Sequence, residues 1–216
     1  MEHPYFVAVV PLYVIFCAVR LARYNSYQSE DHDCFSGLTS TMSGGMLAAY
    51  MVFAIENPEL TFTVNAYQTA CGIVDIGMHT IERYFCPGHD TALTDAIAEA
   101  VIKTIFKAGK DCLANPCDYE ARANMMWASS LAHNGLTQCG RNTQLAVHQF
   151  EHEVSGIYPK VAHGAGLAAI WCSWARYVYK SNIMRWLQYA SHVWNVDIDF
   201  EHPEKTIEKA INLQEE

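Results

Sequence analysis

"AYQTACGIVDIGMHTIERYF", residues 66–85, has apolar positions that recur by threes and fours rather than alternating, and Pro87-Gly88 closes it. That pattern predicts one helix of about five turns. Within it Asp75 and His79 stand four residues apart, so both side chains leave the same face with Cβ atoms about 5–6 Å apart. One cation can bridge such a pair.

Working outward from this helix, the same period continues. In "TALTDAIAEAVIKTIFKAGK" (91–110) Ile97, Val101 and Ile105 repeat at i, i+4. Glu99 stands four before Lys103, as expected for a surface pair, and Gly109 is expected to stop the helix. Asn115-Pro116 breaks the chain, Asp118 can cap the next segment, and "YEARANMMWASSLAHNG" (119–135) predicts a third helix running to Asn134-Gly135. "TQLAVHQFEHEVSG" (143–156) predicts a fourth, ending near Gly156 with Pro159 close behind. "GAGLAAIWCSWARYVYK", "SNIMRWLQYASHVW" and "PEKTIEKAINLQ" supply three more helical patterns. With no strand ladder after residue 65 and no internal repeat, the fold class is all-α, a helical bundle over residues 53–216.

Residues 1–52 read differently. "PYFVAVVPLYVIFCAV" (4–19) is uncharged and apolar, but it is short for a membrane span, carries Pro11, and follows a Met-Glu-His start rather than a basic one. Residues 24–46 are polar, Ser-rich and Gly-punctuated, the composition of a loop or linker. Fourteen basic against twenty-three acidic residues give a formal charge of −9, which argues against nucleic acid or an anionic membrane as partner. The eight cysteines show no Cys-x-x-Cys pair; reduced thiols of a cytoplasmic protein are expected rather than a disulfide framework. No Gly-rich phosphate loop of recognised spacing is present, so no nucleotide-binding residue can be named.

Six of the ten histidines lie between residues 79 and 163. His148 and His152 repeat the i, i+4 spacing on the fourth helix, and His163 comes after a short loop, so three segments can converge on one point with Asp75 and His79. Imidazole and carboxylate together suit a divalent metal. "HQFEH" (148–152) also spells the His-x-x-Glu-His pattern of an inverted zinc-protease motif, which would make Glu151 a general base. That reading requires a further acidic ligand, and no acidic residue comes after His163 until Asp197. His89 is expected in an exposed turn and His133 at a helix end against carbonyls; Trp127, Trp171, Trp174, Met125 and Met126 are expected in the core.

Three stretches, 53–85, 121–135 and 146–171, together resemble the iron-containing alcohol dehydrogenase family, in particular its butanol dehydrogenase branch. The resemblance implies a helical metal-binding domain preceded in the family by a dinucleotide-binding domain, in whose place residues 1–52 form an atypical apolar and Ser/Gly-rich segment. It implies Fe2+ or Zn2+ held by Asp75, His79, His148 and His163, with His152 as a further active-site histidine and Glu151 structural or behind the ligands. It also implies hydride transfer between a primary alcohol or aldehyde and NAD(P), and homodimers. Since most residues that would hold the nicotinamide are not recognisable, the expected activity is compromised, with a catalytically silent metal-binding module as the alternative. Gly164 and Gly166 are expected either to permit close backbone packing beside the metal or to loosen a helix start.

Overall fold

The computed structural model describes residues 57–89 and 91–215, and among these residues seven α-helices form. They are α1 (Ala66–Phe85), α2 (Ala92–Ala114), α3 (Tyr119–His133), α4 (Ala146–Ile157), α5 (His163–Val178), α6 (Ile183–Trp194) and α7 (Pro203–Glu215). No strand forms among the described residues beyond an isolated bridge between Gly88 and Arg141. The all-α expectation holds. The readings made for residues 4–19 and 24–46 fall outside the described residues. Among those described, no helix is long and apolar enough to cross a membrane, and all six cysteines are free.

The helix ends obey the punctuation. Asn65 accepts from the Gln68 amide at 2.9 Å to start α1, and Asp118 accepts from the Ala121 amide at 2.9 Å to start α3. Asn195 takes up a left-handed conformation to end α6. Gly109 departs from expectation: α2 runs through it to Ala114. A Cβ there would fall 2.8 Å from Ile73 Cδ1, so this glycine lets α2 close on α1 rather than stopping it.

Helix α1 is the axle of the bundle, because it buries residues around most of its circumference. On one side Ile73 and Ile76 meet Val101, Ile105 and Ala108 of α2 and Ala121, Met125, Ala128 and Ala132 of α3. On the other, Met78, Ile81 and Tyr84 meet Leu167 and Trp171 of α5, Trp186 and Tyr189 of α6, and Ile207 and Ile211 of α7. Each fully buried Ile or Leu in these layers contributes roughly 1.5–3 kcal/mol. Trp171 is buried and Trp174 packs beside it as expected, but Trp127 is 52% exposed. The α3 face that packs is made of Ala121, Met125, Ala128 and Ala132, and Trp127 falls on the opposite one.

Glu99 is a second departure. It is buried rather than on the surface with Lys103, accepting from the Tyr84 hydroxyl at 2.8 Å and the Gln188 amide at 2.9 Å, with His192 at 3.0 Å. A carboxylate inside a bundle needs such partners to offset desolvation.

Candidate metal centre

On α1, Asp75, His79 and Glu82 stand at i, i+4 and i+7, which places all three on one stripe of the helix. Each then meets a different part of the bundle. Glu82 is almost fully buried and reaches the start of α4, where no local side chain caps the helix. One of its oxygens accepts from the Val147 amide at 2.6 Å, the other from the His148 amide at 3.2 Å. A carboxylate at a helix N-terminus is favoured by the unpaired amides and the helix dipole. The same carboxylate accepts from Nδ1 of His148. One side chain therefore anchors the start of α4 and fixes the His148 ring.

His163 is treated in the same way. Its Nδ1 is bonded to Glu151, which is wholly buried and also accepts from the Ser155 hydroxyl. The two glycines of α5 make this possible. A Cβ on Gly164 would lie 2.1 Å from the Cys71 carbonyl oxygen of α1, and one on Gly166 would lie 2.7 Å from Oε1 of Glu151. Of the two expectations for these glycines, close packing is the one realised.

With Nδ1 engaged, each ring turns Nε2 inward. Nε2 of His148, His163 and His79 lie 3.5, 3.5 and 3.6 Å from the same atom, Oδ1 of Asp75. A tetrahedral ion with bonds of about 2.1 Å holds its donors about 3.4 Å apart, so these separations fit a shared cation. Buried polar atoms are ordinarily hydrogen-bonded, yet Oδ1 of Asp75 and Nε2 of His148 are buried with no such partner. Asp75, His148 and His163, whose ligand atoms all lie within 4.8 Å of one another, therefore fit a divalent ion in composition, spacing and unmet demand, while His79 reaches the centre only through Asp75.

The electrostatics describe the same crowding. Burial pulls His148 down, but the hydrogen bond to Glu82 and the negative charges of Asp75 and Glu82 outweigh this and raise the ring to about 9. Burial, then the neighbouring His148 and His133, pulls His79 down to about 4 despite Asp75. Burial works to raise Asp75, but the close imidazoles of His148, His79 and His163 win, leaving it below the usual carboxylate range. The side chains of Asp75 and His163 remain 31% and 37% exposed while His148 is buried. The centre thus opens to solvent on one side.

His152 does not reach Asp75. It is exposed on α4, its ring 5.5 Å from that of His163 and 6.5 Å from that of His148. Glu151 cannot serve as a general base, since both its oxygens are engaged and it is fully buried; the protease arrangement is not formed. Two residues join the site that the helical spacings of ligand pairs do not single out. Glu82 could have been found from its i+7 step from Asp75. His133 could not: it bonds the Ser129 carbonyl as a helix-end group should, at 2.7 Å, but its ring also packs 4.3 Å from that of His79 across a tertiary contact.

A family model described as Fe-containing alcohol dehydrogenase family, C-terminal, matches residues 69–216. NADH-dependent butanol dehydrogenase B of Clostridium acetobutylicum is 42% identical over 151 residues, 69% of this chain and 38% of that protein. Among solved structures, NADH-dependent butanol dehydrogenase A of Thermotoga maritima superposes with a TM-score of 0.68 at 36% identity, covering 73% of this chain and 39% of that one. The aldehyde reductase YqhD of E. coli superposes at 0.69 with 31% identity, covering 73% and 41%. The chain spans about two fifths of the length of the curated relatives it matches. Matched by the family model over residues 69–216, with its helical bundle superposing on solved relatives, the chain belongs to the Fe-containing alcohol dehydrogenase family.

Proposed function

We propose that this chain holds Fe2+ or Zn2+ through Asp75, His79, His148 and His163, and that it serves NAD(P)-dependent interconversion of a small primary alcohol and its aldehyde. The observation that carries this reading is the convergence of three Nε2 atoms within 3.5–3.6 Å of Asp75 Oδ1, two of them oriented by buried carboxylates. Imidazole and carboxylate donors suit either metal. The names of the relatives, butanol dehydrogenase and aldehyde reductase, support the substrate class.

When bound, the ion supplies Lewis acidity, lowering the pKa of an alcohol or polarising an aldehyde for hydride exchange with a nicotinamide. The protein's own part is orientation and proton handling. Glu82 and Glu151 each hold an Nδ1 proton, so the lone pairs of His148 and His163 face Asp75. The part-exposed side beside Asp75 and His163 is the one from which a small substrate would approach. His152, exposed one helical turn beyond His148, takes up or returns the hydroxyl proton at its ring nitrogens.

The test is metal analysis combined with NAD(P)H oxidation against butanal, comparing the parent with His148→Ala. At least one tightly held Fe or Zn per chain with aldehyde-dependent oxidation is expected, and the variant should lose both the tight ion and the oxidation. Metal binding without oxidation would instead assign the catalytically silent metal-binding module. Failure of the parent chain to bind either metal would remove the reading.

A further inference from the structure

His133 has no part in the ligand set above, yet it stands where a donor would. We propose that Asp75, His79 and His133 form a second, weaker divalent-cation position beside the first, so that the chain can carry two ions with the Asp75 carboxylate shared between them. Their donor atoms all lie within 4.8 Å of one another, as do those of Asp75, His148 and His163. The two groups share only the carboxylate. Bridging carboxylates between ions about 3.5–4 Å apart are an established arrangement for paired metals.

Two further observations point to this division. His148 and His163 are tied to the first position by Glu82 and Glu151, but no carboxylate holds Nδ1 of His79, which is buried without a hydrogen-bond partner. The His79 ring is thus free to serve either side; it packs 4.3 Å from the ring of His148 and 4.3 Å from that of His133. His133, for its part, is oriented as ligating histidines commonly are: Nδ1 lies 2.7 Å from the Ser129 carbonyl, leaving Nε2 as a donor. Its exposure gives an ion direct access from solvent.

When both positions fill, Asp75, His148 and His163 keep the first ion, and Asp75, His79 and His133 take the second. Repulsion between the ions and the smaller number of fixed donors make the second weaker by at least about tenfold. The inference rests on the proposed metal centre, and the closing experiment separates the two. Zn2+ alone is titrated calorimetrically into the full chain, alongside His133→Ala, His133→Gln and His148→Ala, with helical circular dichroism recorded for each. The expected result is two Zn2+ per parent chain, with only the weaker one lost from both His133 variants and the tighter one lost from His148→Ala. A parent that binds a single Zn2+, or His133 variants that still bind two, overturns the second position while leaving the first intact. A parent that binds none overturns both. Adding a second equivalent of Co2+ should also alter the visible spectrum of the first, because His79 changes sides; an unchanged spectrum speaks against the shared arrangement.

Discussion

Two polar clusters flank α1, and they differ in whether their carboxylate oxygens are satisfied. At its C-terminal end, Asp95 is held by Arg141 and by both terminal nitrogens of Arg185, at 2.5 and 2.9 Å. Arg185 also donates to the Tyr84 carbonyl at 2.9 and 2.7 Å, and Arg141 donates to the same carbonyl at 3.0 Å and to that of Cys86 at 3.2 Å. Both Asp95 oxygens and the carbonyls of Tyr84 and Cys86 are paired, and within the cluster only Nε of Arg141 is left buried without a partner. In its middle, Asp75 Oδ1, His148 Nε2 and His79 Nδ1 are buried and unpaired. Both clusters bear the desolvation cost of burying charge. The first recovers most of it by pairing its carboxylate within the protein, whereas the second leaves its carboxylate oxygen and two ring nitrogens for something bound, which is why the second is read as a site and the first as structure.

The contrast can be broken from the structural side first. Asp95→Ala should leave two buried arginines facing each other without a counter-charge and destabilise the fold by about 3–5 kcal/mol, measured by urea unfolding. Metal bound per folded chain should not change. A loss below about 1 kcal/mol would mean that the paired carboxylate of this cluster is not structural, and the comparison would fail.

From the other side, His148→Ala should cost more affinity for Zn2+ than the about 10–100-fold typical of losing an outer partner, measured by chelator competition. Between these extremes lie the carboxylates behind the rings. Glu82→Gln and Glu151→Gln should each weaken Zn2+ binding by about 10–100-fold, with helical content kept. Gly166→Ala should act in the same direction as Glu151→Gln, since its methyl would occupy the space of Glu151 Oε1. If both Gln variants bound Zn2+ like the parent, the carboxylates would merely fill space. The smallest effect is expected at Trp127, which is 52% exposed: Trp127→Ala should shift stability by no more than about 0.5 kcal/mol.

Much of this was legible in the sequence, for reasons that are local. Pro87, Asn115-Pro116, Asp118 and Asn134-Gly135 act on their own neighbours, so ends of α1, α2 and α3 could be read from them. The pair Asp75 and His79 was legible because helical spacing alone puts both on one face. What escaped depends on what the chain meets elsewhere. Gly109 reads as a stop until Ile73 is seen pressed against it. Glu99 reads as the surface partner of Lys103 until α6 brings Gln188 and His192 onto it. His133 answers to its own helix end through Ser129, and only the packing of α3 on α1 sets it beside His79. Side chains whose role is set within one helix can be read early; those set between helices cannot.

If Asp75, His148 and His163 face one point because that point takes an ion, anomalous diffraction from crystals grown with Zn2+ measures it most directly. The expected result is a peak at the point shared by Asp75 Oδ1 and the Nε2 atoms of His148 and His163, at about 2.0–2.2 Å from each. A crystal saturated with Zn2+ that shows no peak there, with those three atoms paired to one another instead, would contradict it.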